Sequence, residues 1–316
     1  MTELRTYFGT RGDVPPWASG LETAQFQRFR QGVEDALAER KLRFVLGEGV
    51  ALVERPAANP SQLGLALLVQ VCKTLPEDKW AETIAAQIDS LLKAESDEEQ
   101  LKADLPDFEK VRGRLKVRLY PDVLLQSDVG KVMVTRQVAL GIAAALVFDM
   151  PNLIMNVTPE MVHQWGKNGE ELFSLALSNL LSEGPVSPKE IGEANGPKMW
   201  MLGGPTPYIA SHLFILPRYL DRVPEGGVLV GVPTAHALLL HPIVDAQASA
   251  AIRVMVPTLA TLAQAGPSPV SPYLYWWRNG LLTRLETRGN EKNIEVHPPQ
   301  ELLNILEQLG AKLGSK

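Results

Sequence analysis

The sequence predicts an α+β protein, a mainly antiparallel sheet covered by helices with a smaller helix-rich N-terminal part. Two observations carry that expectation. Over residues 110–120, Val111, Leu115, Val117 and Leu119 alternate with Lys110, Arg112, Arg114, Lys116 and Arg118, which is the period of a half-buried strand with one basic face. Further on, residues 273–277 and 281–286 flank Asn279-Gly280, the turn dipeptide most typical of a two-residue hairpin. Short strands beside hairpin turns favour an antiparallel sheet over a doubly wound parallel one.

Taken in order, the elements begin with a helix over residues 23–40. Thr23 is placed to cap it, and Phe26, Phe29, Val33, Ala36 and Leu37 lie on one stripe. Residues 44–46 and 50–53 flank Gly47-Glu48-Gly49 and predict a short hairpin, after which Pro56, Asn59 and Pro60 reset the chain. Residues 63–74 are apolar on nearly all sides and predict a buried helix, ended by Leu75-Pro76. Trp80, Ile84, Ile88, Leu91 and Leu92 form the stripe of the next helix, which dissolves into the acidic run of Glu95, Asp97, Glu98, Glu99, Asp104, Asp107 and Glu109.

After the basic strand, residues 131–135 and 153–157 read as strands and 136–148 as a helix between them. A helix over 170–181 is closed by Gly184. Residues 199–202 form a short strand, 209–220 a helix interrupted by Pro217, and the β-branched run 228–232 a buried strand. Residues 245–262 are helical in pattern, with Pro257 expected to kink or split them. The hairpin at Asn279-Gly280 and a strand at 294–296 follow. The last helix sets Leu302, Ile305, Leu306, Leu309 and Leu313 on one stripe. The domain reading is an irregular tail over 1–20, a helix-rich part with a β-hairpin over 21–109, and an α+β part over 110–316.

With 316 residues, 45% of them hydrophobic and 21% charged, the chain falls in the ordinary globular range and suggests about two domains. A net charge of −5 argues against a surface built throughout for nucleic acid and leaves only a local role to the basic strand. Cys72 is the sole cysteine, so intrachain disulfides and Cys-rich zinc sites are excluded, and a reducing cytoplasm fits. The opening residues lack the apolar core of a signal peptide. The longest apolar stretch, 138–148, falls short of the roughly 20 residues of a membrane span.

Several residue types bear on chemistry. Lys110, Arg112, Arg114, Lys116 and Arg118 could sum their fields over phosphate, nucleic acid or an acidic partner, although charge on a strand's open face also serves to block aggregation. Of the histidines 163, 212, 236, 241 and 297, His236 and His241 lie five apart, which is not the spacing of two ligands on one helical face. No metal or cofactor is therefore expected. Ser211 and His212 are adjacent and point apart. No nucleophile elbow, phosphate-cradling loop or dinucleotide fingerprint occurs. Arg11-Gly12-Asp13 is taken as chance, and Cys72 as an inert buried thiol. Trp276 and Trp277 face opposite ways in a regular strand, so one is expected in the core and the other exposed or covered by a partner.

The chain resembles the YtpQ-like family of bacterial proteins, a family of unknown function, over about residues 115–285. The matching residues are Arg118-Leu119-Tyr120-Pro121, Trp165 with the run from Glu171 to Leu180, Tyr208 to Leu213 with Leu216-Pro217, and Leu229-Val230-Gly231-Val232-Pro233. Ile209 stands where that family tends to carry an aspartate. Leu63-Gly64-Leu65 and Lys79-Trp80 are similar to an N-terminal extension of larger relatives. The resemblance implies a bacterial cytoplasmic origin and supplies no reaction.

The leading functional expectation is a non-enzymatic interaction or scaffold protein with a protein partner. A second is an enzyme or small-ligand-binding protein whose site is assembled from distant residues. Its candidates are Asp122, Arg136, Asp149, His212, Arg218 and His236, polar groups that interrupt apolar segments near strand ends. A third is anion or nucleic-acid binding through the basic strand.

Overall fold

The computed structural model describes residues 14–47, 49–54, 61–192, 196–290 and 293–310. Arg11-Gly12-Asp13, Glu48 and the segment with Pro56, Asn59 and Pro60 lie outside them. The fold is α+β, and every strand pairing among the described residues is antiparallel. No helix among them is long and apolar enough to cross a membrane. The chain divides into two compact units, one of residues up to Gln100 together with Pro151–Leu153, the other of Leu101–Met150 and Ile154–Lys316.

In the first unit, the described end of the expected irregular tail holds a short regular turn. Pro16–Ala18 makes a 3-10 turn that buries Ala18. Helix α1 (Thr23–Glu39) follows, with Glu22 rather than Thr23 at its cap and the Gln25 side chain accepting from the Glu22 N–H at 3.0 Å. The hairpin gains a third strand. β1 (Phe44–Leu46), β2 (Val50–Val53) and β3 (Ser61–Gly64) pair in that order, so α2 (Leu65–Lys73) starts two residues later than its apolar run suggests. Phe26, Phe29, Val33 and Leu37 pack with Val69, Cys72, Trp80, Ile84 and Ile88 in one core. Helix α3 (Trp80–Asp104) passes unbroken through the acidic run as far as Asp104. Charges one turn apart on a helix surface do not by themselves end it.

In the second unit the basic stretch departs from expectation. Asp107 accepts from the Glu109 N–H at 3.2 Å and starts α4 (Phe108–Val111). Arg112–Arg114 continues as a 3-10 turn, and only then does β4 (Leu115–Pro121) begin. Lys110, Arg112 and Arg114 are therefore not on the strand; apolar Val111 alternates with them only because one side of a single turn is buried. After α5 (Asp128–Lys131) come β5 (Thr135–Ala139) and β6 (Ile142–Asp149), in place of the expected helix over 136–148. Gly141, at φ +96°, reverses the chain between them. β6 is buried on both faces, and a short continuous apolar run carries no period that separates strand from helix.

β7 (Ile154–Asn156) pairs with β6 in a sheet ordered β4-β6-β5, and α6 (Pro159–Gln164) leads to α7 (Gly169–Ser182), which packs on β4. Asn179 of α7 donates to the carbonyls of Arg112 and Leu115 at 2.8 and 2.9 Å, fixing the start of that strand. A second, six-stranded sheet is built from β8 (Lys189–Ile191), β9 (Met199–Gly203), β10 (Val228–Thr234), β11 (Ala237–Pro242), β12 (Leu274–Arg278) and β13 (Leu281–Arg284), in the order β13-β12-β10-β11-β9-β8. Between β9 and β10 lies a 3-10 segment, Ile209–Tyr219, interrupted at Ile215. Helix α8 (Ala248–Ala265) runs as one element through Pro257. A two-stranded sheet of β14 (Glu286–Asn290) and β15 (Asn293–His297) precedes α9 (Gln300–Gln308). Leu229, Leu239, Leu274 and Trp276 pack against Ile252, Met255 and Leu259 of α8 and Leu302 and Leu306 of α9.

Candidate functional site

The basic residues expected to form one anion-binding face are dispersed, and Arg112, Arg114, Lys116 and Arg118 have protein partners. Lys110 is exposed on α4. Arg112 pairs with Glu109 at 2.8 Å and Arg114 with Asp104 at 3.2 Å. Lys116 is only 4% exposed and pairs with Glu183. Arg118 donates to Ser268 Oγ at 3.2 Å and lies 5.0 Å from the Tyr120 ring. The tryptophan expectation is corrected as well. Trp276 is 5% and Trp277 9% exposed, so both are core, one on each face. Trp276 donates its indole N–H to the Gly226 carbonyl at 2.8 Å.

The pocket candidates are scattered. The Asp122 carboxylate accepts from the Gly141 N–H at 2.7 Å and so holds the β5–β6 turn. Arg136 lies over the Phe173 ring at 4.2 Å and pairs with Glu170. Arg218 is exposed at the end of the 3-10 segment, and His236 sits in the β10–β11 turn, its carbonyl accepting from Gly204 at 3.3 Å.

Asp149 and His212 do share an environment, and its centre is Lys116. Tyr208 donates to Asp149 at 2.9 Å, and the Lys116 ammonium lies 5.9 Å from the Tyr208 ring. Burial pushes the Lys116 ammonium below its ordinary range, against the pull of Asp149. Burial, and next the Lys116 charge, hold the His212 imidazole below its own. Tyr219 accepts from the Val186 N–H and its hydroxyl is hydrogen-bonded with His212 Nδ1. This cluster ties β4, β6, α7 and the 3-10 segment together. None of its side chains lines any of the clefts described next.

A cleft of about 830 Å³ opens at the end of the six-stranded sheet, between the β8–β9 and β11–α8 connections. Glu190, Lys198, Trp200, His241, Asp245 and Gln247 supply its polar and aromatic wall. Smaller grooves lie beside β1, with Glu34, Arg43 and Phe44, and beside α9, with Arg222, Arg278 and Leu309. His241 is the unusual member of the large cleft. In the sheet it stands opposite Leu229, itself opposite Trp276, so the imidazole belongs to the apolar row covered by α8. It is only 3% exposed.

The Nδ1 atom of His241 lies 2.7 Å from the carbonyl oxygen of Lys198. A carbonyl can only accept, so Nδ1 carries the proton and Nε2 presents a lone pair. Burial, the largest influence, holds the imidazole below its ordinary range and keeps it neutral. Among the described residues Nε2 has no hydrogen-bond partner; Arg118 Nε and Ser249 Oγ share that condition, but of the three residues only His241 lines this cleft. Leaving such an atom unpaired costs about 1–3 kcal/mol. No group of three or more His, Cys, Asp or Glu among the described residues is placed to hold a metal.

Sequence reasoning passed over His241 because it weighed only its spacing from His236. The available signal was a polar residue ending the apolar run Leu238-Leu239-Leu240, in a strand that was not recognised. Lys198 and Asp245, which hold and face it, are remote in sequence or lie beyond the strand. Compared with family models, with curated proteins and with solved structures, the chain matches none.

Proposed function

We propose that this chain binds a small molecule in the cleft at the end of the six-stranded sheet, with His241 Nε2 accepting a hydrogen bond from the ligand. The observation that carries the reading is the buried imidazole itself. One nitrogen is fixed by the Lys198 carbonyl and the other is buried without a partner, in a residue that lines a cleft large enough for a metabolite-sized ligand. Buried polar atoms are nearly always paired, and an N–H or O–H from a ligand supplies the missing donor.

Partner binding through an exposed tryptophan loses its support, since both tryptophans are buried. Anion binding through a basic strand loses its own, since Arg112, Arg114 and Lys116 are ion-paired. The YtpQ-like kinship and a bacterial cytoplasmic setting stand as proposals on the quoted residues alone. The test is a thermal-shift screen of the full chain against a panel of polar metabolites, with His241→Phe beside it. Compounds that stabilise the parent and not the variant support the reading. A panel without hits, or hits indifferent to the substitution, sinks it.

A further inference from the structure

A second surface lies in the first unit and does not depend on the cleft. We infer that the open edge of β1 takes an extended basic peptide as an added strand, with cationic side chains meeting Glu34, Asp35 and Glu54. β1 is the outer strand of the sheet β1-β2-β3. The Glu54 N–H donates to the Arg43 carbonyl at 2.7 Å and the Gly47 N–H to the Val50 carbonyl at 2.7 Å, so residues 43, 45 and 47 turn their backbone groups to β2. By alternation Phe44 and Leu46 turn theirs outward, where among the described residues they have no partner. The strand carries no charge, proline or bulge to close that edge. The edge of β4, by contrast, is occupied, since Ser211 donates its hydroxyl to the Val117 carbonyl.

A groove of about 400 Å³ lies along this edge, walled by Glu34, Asp35 and Ala38 of α1 and by Arg43 and Glu54 beside the strand ends. Three carboxylates there face one cation. Glu34 is paired with Arg30 at 2.8 Å and Glu54 lies 4.0 Å from Arg43, while Asp35 meets only the Gln31 amide, at 2.7 Å. Strand pairing supplies the affinity and the negative surplus selects the occupant. Val45 stands opposite Leu52, which is 38% exposed, on the face away from the core, and alternate apolar residues of the added strand continue that face. An acidic strand would meet the carboxylates. A second copy paired edge to edge would set them beside their own kind.

The experiment is fluorescence anisotropy of the full chain with a labelled peptide alternating lysine and valine, against the same peptide with glutamate for lysine and the lysine peptide N-methylated at every amide. The expected result is saturable binding of the lysine peptide, about tenfold or more tighter than the glutamate peptide, abolished by N-methylation and weakened about tenfold by Asp35→Lys with Glu54→Lys. Both residues are exposed, so that variant keeps the fold. With the lysine peptide bound, hydrogen exchange should slow at the Phe44 and Leu46 amides and stay unchanged at Val45, which already faces β2. Equal binding of the N-methylated peptide reduces the effect to charge adsorption and overturns the added strand. Binding indifferent to the charge reversal, exchange slowed only at other amides, or no saturable binding overturns the site. Self-association of the unliganded chain that protects the same two amides overturns the peptide in favour of a second copy.

Discussion

A Cβ atom added to Gly231 would stand 2.1 Å from Cδ2 of Leu259 and 2.9 Å from its Cγ. Helix α8 thus rests on β10 at a spacing that only glycine permits, and the same helix begins beside the cleft at Gln247. Gly231→Ala forces Leu259 off its position and is expected to lower stability by about 1–3 kcal/mol. Leu259→Ala alone is expected to cost about 2–5 kcal/mol. The double variant should lose clearly less than the sum, measured by urea denaturation; additive losses would show that the two side-chain positions do not compete for one space.

The buried ion pair of Lys116 makes an asymmetric prediction. Removing Glu183, whose side chain is 51% exposed, strands a lysine whose side chain is 6% exposed. Glu183→Gln is expected to cost about 1–2 kcal/mol after allowance for screening at the exposed carboxylate. Lys116→Met keeps the apolar stem, removes the buried charge, and should stay within about 1 kcal/mol of the parent. Equilibrium unfolding of both variants at one pH checks this, and a larger loss for Lys116→Met than for Glu183→Gln contradicts it.

Stability should fall on mild acidification. The native imidazoles of His212 and His241 both titrate below the ordinary histidine range, burial being the first cause in each. Above about pH 6.5 neither state binds the proton and the two residues are silent. As the pH drops below that value, the unfolded chain takes up protons that the native protein refuses. The slope reaches up to about 1.4 kcal/mol per pH unit for each site until the native group titrates. Denaturation midpoints between about pH 7.5 and 5.5 should decline, and His212→Gln or His241→Gln should each flatten the decline. A flat profile in the parent protein would refute it.

Cys72 is fully buried in the first unit, and burial pushes its thiol up to about 11. At pH 8 the native thiol should therefore resist an aromatic disulfide reagent and react stoichiometrically only in denaturant. Rapid labelling of the folded protein would show an opening of that core that its packing does not suggest.

What the sequence determined by itself were the features set by residues within a turn or two of one another. The stripes of α1, α3 and α9 follow from spacing, and the β12–β13 hairpin from Asn279 and Gly280, which adopt φ +51° and +80°. The antiparallel α+β class follows from those signals together. Tertiary structure alone decided the rest. β6 has no alternation to read because neighbours cover both its faces, and the basic residues at 110–114 part from β4 because Asp107 caps a helical turn before it. The site is the extreme case. His241 is defined by a carbonyl 43 residues earlier and by α8 lying over its face of the sheet. Strand pairing between distant segments chooses which polar atom is buried and left unpaired, and no local period encodes that choice.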